Sequence, residues 1–449
     1  MSCNKSLGTP SAALLVVAVV VLMFTPGAWA QPYKTLYTFV GDASGQFPSG
    51  VIFDQAGNLY GTTGEGGGGP CDDGCGLAYK LTPNADGSWA ESVLYTFCSV
   101  GGCADGFYPY AGLTLDQSGN LYGETYLGGG AAGCDCGTVF ELTPSSNGSW
   151  TEKVIYHFTD GADGGLPIGG LIFDQAGNLY GTTYGGGIGY GVTFELTPNA
   201  DGSWTEKVLH NFKGAGGESP LNATLIFDHA GNLYGTASGG DSKSCGDGEG
   251  CGVVFELSPN SDGSWEEKVL HRFTGADGAF PGAGVIFDQA GNLYGTTEEG
   301  GNPTQCVDEG VGCGTIFQLI PNADGSWKET ILHHFTGGKD GGLSFAPLIF
   351  DKSGNLYGTT EVGGKPKLCA GDGFSGGCGV VFKLQPNSKG GWNETVLHRF
   401  VRDPGAYPQA GVIFDAAGNL YGTTQGDSNG CSDIRPCRNT FGSVFEITP

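Results

Sequence analysis

The stretch FDQAGNLYGTT, Phe53–Thr63, returns unchanged at Phe287–Thr297. The phrase occurs seven times in all, opening at Val51, Leu113, Leu171, Leu225, Val285, Leu348 and Val412. Its Asp falls at 54, 116, 174, 228, 288, 351 and 415, at intervals from 54 residues (174 to 228) to 64 (351 to 415). A fixed phrase at a variable interval marks a scaffold whose insertions lie in loops.

Each unit reads as four short strands: LIFD, a turn of the form Asp-x-x-Gly-Asn, then NLYGTT, a Gly-rich loop, GVVFELTP, a turn such as NADGSW, and EKVLHRF. β-Branched and aromatic runs bounded by Gly, Asn, Asp and Pro carry the strand signal. No window sustains a helical period. Four strands per unit repeated around an axis describe an all-β propeller with seven blades. The last unit stops after its third strand, GSVFEITP, whereas Tyr33–Phe39, YKTLYTF, matches the fourth-strand pattern of SVLYTF and KVIYHF. The amino-terminal strand is therefore expected to complete the last blade, closing the ring and removing an unpaired sheet edge. Residues 31–449 are read as a single propeller domain.

The phrase DQAGNLYGTT, followed by a GG loop and VFELTP, resembles the GloVer (Gloeo_Verruco) tandem repeat of exported bacterial proteins, over essentially all of residues 33–449. The resemblance implies export but no particular reaction. Many members of that family carry carboxyl-terminal surface anchors; with nothing of that kind read up to Pro449, surface attachment is not expected here. The FDxxGNLY core is also similar to the hairpin of NHL and gluconolactonase-type propellers, which implies that the LIFD strand lines the central channel.

Residues 1–30 are read as a secretory signal peptide: Lys5, an apolar run Ala12–Phe24, and Ala28-Trp29-Ala30 before Gln31. The apolar run is short for a membrane span. Removing Lys5 changes the net charge from −26 to −27. Such a surface repels nucleic acid and anionic lipid, so nucleic-acid binding and membrane insertion are not expected. The mature chain is expected to be secreted or periplasmic, soluble and monomeric.

An invariant residue in every blade cannot by itself build one asymmetric catalytic site. The seven phrase Asp residues are read as Asx-type turn caps; the competing reading is a carboxylate ring around a cation. Trp89, Trp150, Trp204, Trp265, Trp327 and Trp392 are expected to pack between blades rather than stack on a ligand. His157, His210, His271, His333, His334 and His398 lie in fourth strands, several of them where other units have Tyr37, Tyr95 or Tyr156, which reads as a packing slot. His229 replaces a turn Gln. No Ser-His-Asp arrangement and no zinc signature is visible, and no catalytic residue is assigned.

Fourteen cysteines follow the leader as close couples: Cys71 with Cys75, Cys98 with Cys103, Cys134 with Cys136, Cys245 with Cys251, Cys306 with Cys313, Cys369 with Cys378, and Cys431 with Cys437. In an exported chain these read as disulfide staples rather than metal thiolates. Cys134 and Cys136 are adjacent but one, and in an extended segment their side chains point apart. Pairing of those two with Cys98 and Cys103 stays open.

The stapled loops and the loops entering each first strand fall on one face. They carry acids, among them Asp72, Asp73, Asp247, Glu249, Asp308, Glu309 and Asp372, the first six of which are weak candidates for a metal. The residue after each GTT-type triplet is Gly64, Tyr126, Tyr184, Ser238, Glu298, Glu361 or Gln425, the first point at which the blades disagree. Tyr126, Tyr184, Glu298, Glu361 and Gln425 are the candidate binding rim, against the alternative of solvated loop residues. Phe47, Tyr108, Phe280 and Tyr407, before the loop prolines, read as packing beneath the loops. The functional expectation is a non-catalytic module for an extracellular glycan or protein, needing no cofactor, with calcium as an optional ligand. The rival is a calcium-assisted hydrolase or polysaccharide-cleaving enzyme using Glu298 and Glu361.

Overall fold

In the computed structural model the seven phrases become seven blades. The described residues are 33–130, 134–214, 217–220, 224–240, 245, 250–302, 306, 312–365, 369, 377–402, 405–426 and 441–449. Blade one runs Ile52–Phe53, Leu59–Glu65, Leu77–Pro83 and Trp89–Thr96, each strand antiparallel to the next. Blades two to six repeat that order. In blades one and three a three-residue loop segment, Gln46–Pro48 or Gly165–Pro167, also pairs with the second strand. The seventh blade joins both ends of the chain. Tyr33–Thr38 lies along Ser443–Ile447, with Tyr33 opposite Ile447 and Thr38 opposite Ser443. The Phe39 amide then donates to the Gly442 carbonyl at 2.9 Å.

The phrase owes its letters to two local demands. Asp288 Oδ1 accepts the amides of Ala290 and Asn292 (2.8 and 2.9 Å), and Oδ2 accepts Asn292 Nδ2 (2.7 Å) and the Tyr294 hydroxyl (3.0 Å). The same closure of the turn by its own Asp holds in the other six blades. The turn-cap reading therefore stands, because the carboxylates are occupied by donors of their own turn. The Gly of LYGTT is a matter of space: a Cβ on Gly295 would sit 2.5 Å from Phe317 Cζ. The tip of the third-strand aromatic ring abuts that glycine in every blade.

Blades adhere through seven apolar clusters, each shared by two neighbours. One combines Tyr60 and Ala78 of blade one with Leu113, Leu121, Phe140 and Leu142 of blade two, and Trp150 packs against it. The tryptophans lie edge-on to second-strand tyrosines of the preceding blade, as Trp204 does to Tyr122 at 6.2 Å, so they are interblade residues.

A β-bulge in every fourth strand adds a polar clasp. In blade one Tyr79 pairs with Val93 but Ala78 with Tyr95, which leaves Leu94 as the extra residue. Without it Glu91 and Tyr95, four apart, would share one face of the strand; one inserted residue turns Tyr95 to the other. Glu91 thus reaches back to blade seven, where the Tyr37 hydroxyl donates to its Oε2 at 2.7 Å. Tyr95 reaches forward to Glu152, helping to hold that carboxyl. His210 and Glu267 repeat the pair at 3.6 Å, and His271 and Glu329 at 3.7 Å. At the closing seam Tyr33 stands where other blades have the Glu, and it stacks on His398 with centroids 3.9 Å apart. Lysines add a second clasp: Lys34, Lys207 and Lys268 donate to the carbonyls of Gly87, Gly263 and Gly325 in the following blade. The histidine slots are therefore more than packing positions.

Six of the seven expected staples are present as local bonds. They join Cys71 to Cys75, Cys98 to Cys103, Cys134 to Cys136, Cys245 to Cys251, Cys306 to Cys313, and Cys369 to Cys378. The open alternative for Cys134 and Cys136 resolves to a direct bond, with their Cα atoms 5.4 Å apart. The seventh couple, Cys431 and Cys437, lies outside the described residues, so its bond stays an expectation from the sequence.

Candidate functional site

The loop face is assembled from backbone before any side chain acts. In the stapled loops between the second and third strands of blades one, two, four, five and six, the second cysteine offers its carbonyl to the next blade: Cys75 accepts the Tyr108 amide, Cys251 that of Phe280, and Cys378 that of Tyr407, at 2.9–3.0 Å. Cys313 does the same for Leu343 at 3.0 Å. Where blade three lacks cysteines, Tyr190 takes this place and accepts from Ser219. The recipients hold a left-handed backbone although none is glycine, with φ of 60° at Tyr108, 54° at Phe280 and 60° at Tyr407. Such residues cost about 1–3 kcal/mol each and persist only where their surroundings fix them. Their carbonyls then accept the amides of the rim residues: Tyr126 to Tyr108, Glu298 to Phe280, Glu361 to Leu343 and Gln425 to Tyr407, at 2.9–3.1 Å. Staple, strained residue and rim position form one rigid relay between adjacent blades.

On this frame the rim divides in two. Across blades one to three it is aromatic. Tyr108 and Tyr110 stack with centroids 5.7 Å apart, and Tyr110 meets Tyr126 at 6.0 Å. Gly64 is the rim residue of blade one because Tyr110 covers it; a Cβ there would lie 2.4 Å from the ring. Tyr184 continues the arc near Tyr126 and is 38% exposed, with Tyr190 and Ile188 also exposed.

Across blades five and six the rim is acidic. Burial, with the neighbouring charges of Glu299 and Glu361, pushes Glu298 up to about 8. Burial also raises Glu361, opposed by the Gln409 side-chain amide, which donates to Glu361 Oε1 at 3.2 Å. Gln425 is half-buried beside these in blade seven. Asp72 and Asp73 are exposed on the first stapled loop. Asp247, Glu249, Asp308, Glu309 and Asp372 lie outside the described residues.

Sequence reasoning passed over three groups. Tyr110 and Gln409 stand two residues after the loop aromatics Tyr108 and Tyr407, each reaching the preceding blade's rim residue, Gly64 or Glu361. Disagreement between blades at that second position was the available signal. Glu124 replaces a threonine whose hydroxyl elsewhere donates to a carbonyl of the next blade, as Thr236 does to Ala283 at 2.8 Å. It accepts the Gly170 amide instead, at 3.0 Å, and burial pushes it up to about 8. The third group is the Glu of each fourth strand, legible as Trp-x-Glu four residues before Tyr or His. No serine–histidine–aspartate constellation occurs among the described residues. Two open grooves of about 630 and 880 Å³ lie at the opposite face, between turns at Asp54 and Gly119 and at Asp174 and Asp228, away from the rim.

The sequence matches the Gloeobacter/Verrucomicrobia repeat over residues 20–188, 128–370 and 249–449, which overlap to span the propeller. The chain belongs to the Gloeobacter/Verrucomicrobia repeat family. In this chain the phrase that opens each unit is the first hairpin of a blade. No curated protein matches the sequence. Among solved structures, an X-ray structure described as a candidate gluconolactonase is similar at 15% identity and a TM-score of 0.36, covering 73% of this chain and 88% of that one. A likeness of that degree says nothing about activity.

Proposed function

We propose that this Gloeobacter/Verrucomicrobia repeat protein is an exported carbohydrate-binding propeller whose loop face holds an extracellular glycan. The observation that carries this reading is the divided rim: Tyr108 stacked on Tyr110, with Tyr126 tilted against Tyr110, on one side, and Glu298, Glu361 and Gln409 on the other. Aromatic faces suit the apolar faces of sugar rings, and fixed carboxyl and amide groups suit their hydroxyls. Pre-organised loops spare the ordering entropy that weak glycan binding can least tolerate. Export accords with six disulfides. Among the described residues no helix is long and apolar enough to cross a membrane.

A second reading, hydrolysis, draws support from one observation. Burial and the neighbouring Glu299 and Glu361 carboxylates raise Glu298 to about 8, the direction a general acid needs. A calorimetric screen of the mature protein against oligosaccharides, with product analysis by chromatography, separates the two. Binding that weakens about tenfold in Tyr110→Ala, with the sugar recovered intact, supports the binding module. Turnover that Glu298→Gln abolishes would replace it with the hydrolase.

A further inference from the structure

Seven seams carry the fourth-strand clasp, but they are chemically of two kinds. In three of them the residue facing the next blade is tyrosine, and its phenol has a proton to give. Tyr37 donates to Glu91 at 2.7 Å, Tyr95 to Asp105 at 2.7 Å and Tyr156 to Asp163 at 3.1 Å. In these seams the phenol proton goes to one carboxylate oxygen, and Glu91 Oε1, Glu152 Oε1 and Glu206 Oε1 stay buried without a hydrogen-bond partner among the described residues; what they lack is a nitrogen ligand. Between blades four and five the facing residue is His271, and two carboxylates converge on its single Nε2. Asp277 Oδ2 lies at 3.2 Å and Glu329 Oε1 at 3.7 Å. All three ligand atoms fall within 4.8 Å of one another.

One imidazole proton cannot serve two carboxylates. Asp277 is held from behind, its Oδ1 accepting the Thr274 amide and hydroxyl at 2.7 and 2.9 Å, so that Oδ2 is the oxygen presented to His271. Glu329 Oε1 is buried and accepts no hydrogen bond from the described residues. The His271 ring is set edge-on against Phe273, with centroids 4.8 Å apart, which fixes the direction of its nitrogen. We infer that His271 Nε2, Asp277 Oδ2 and Glu329 Oε1 form a binding site for a divalent transition metal of the zinc class, clamping blade four to blade five.

Distances and donor types agree with this. Bonds of about 2.0–2.1 Å around a tetrahedral zinc separate its ligand atoms by roughly 3.3–3.4 Å, between the two spacings seen here. One neutral imidazole and two carboxylates carry the charge that a divalent ion cancels, and they leave a fourth position for water. Calcium would want six to eight oxygens, which this seam does not offer. The next seam repeats the donor set: His333 Nε2 stands 3.4 Å from Asp340 Oδ2, and His333 and Asp340 both act on the Glu394 carboxyl. His333 Nε2 and Glu394 Oε1 are likewise buried without a hydrogen-bond partner. This second seam is looser, its three ligand atoms not all lying within 4.8 Å of one another, so the binding site is assigned to the first seam alone.

The test uses the mature protein with its disulfides oxidised, stripped with chelator and titrated with zinc chloride by calorimetry. His271→Tyr installs the phenol of the other seams, and Glu329→Gln keeps the shape of the clasp while removing its charge. Each variant is checked for wild-type near-ultraviolet circular dichroism in chelator. The expected result is that His271→Tyr loses one zinc equivalent per chain and that Glu329→Gln binds that equivalent at least tenfold more weakly. Absence of zinc binding by the wild type, or an unchanged isotherm in folded His271→Tyr, would overturn the assignment.

Discussion

At the scale of single residues, the repeated phrase is explained by what each letter must satisfy. Asp288 closes its turn with four acceptor contacts, and Asp288→Ala is expected to lower unfolding free energy by about 1–2 kcal/mol in urea titrations. Burial works against its ionised form, but the Asn292 side chain and amide, with Tyr294 and Ala290, outweigh that and hold the carboxyl below the usual range. Its stabilisation is therefore present above the unfolded carboxylate pKa and is lost as pH falls through the folded value. Gly295→Ala is expected to cost about 1–3 kcal/mol, because Phe317 has nowhere to retreat. Glu124 has the opposite linkage. Raised by burial to about 8, it stabilises fully below pH ~4.3, where the unfolded carboxyl also keeps its proton, and that stability is lost as pH rises towards 8. Glu124→Gln should flatten the decline, with a difference from wild type reaching roughly 2–4 kcal/mol at pH 9 by urea unfolding. The turn caps were legible in the sequence because both partners lie within six residues. Glu124 was not, since its partner Gly170 belongs to another blade.

At the scale of elements, the fourth strand does two jobs with one irregularity. Its bulge sends Glu to the blade behind and Tyr or His to the blade ahead, so a single strand type can tile a ring. Burial pushes Glu152, Glu206, Glu267, Glu329 and Glu394 up to about 7. Their raised folded values make the clasps most favourable when protonated, which places a loss of stability between about pH 5 and 8 in chelator-treated protein. Burial instead lowers His210 and His398 to about 4, so they favour the folded state above pH ~6.5 and oppose the trend. Five glutamates against two histidines set the net direction. Calorimetric melting should give a higher Tm at pH 5.5 than at pH 8, and an unchanged Tm would contradict the clasp chemistry. The staples, from Cys134–Cys136 to Cys369–Cys378, close loops of two to nine residues' separation only. All but the shortest are worth roughly 2–3 kcal/mol each in the chain-entropy picture. The histidine pattern was visible in the sequence as alternation with Tyr. The bulge that gives it meaning was not, because pairing register is a property of two strands.

At the scale of the whole molecule, ring closure converts seven similar units into one object with an asymmetric face. The architecture was readable from the sequence because the phrase recurs and because YKTLYTF matches a missing fourth strand. The candidate rim was readable only in part. Tyr126, Tyr184, Glu298 and Glu361 stood out as disagreements at a fixed position, whereas Tyr110 and Gln409 reach the rim from the following blade. Such contacts span 46 residues between Gly64 and Tyr110 and 48 between Glu361 and Gln409, too far for local pattern to disclose. Everything rests on the joint between Tyr33–Thr38 and Ser443–Ile447. Native-state hydrogen exchange of the peptide covering residues 33–39 tests that joint most directly. Closure requires its amides to be protected as strongly as those of the fourth strand Trp265–Arg272 in the middle of the chain. Exchange at the rate of a frayed terminus, while Trp265–Arg272 stays protected, would contradict the closed ring.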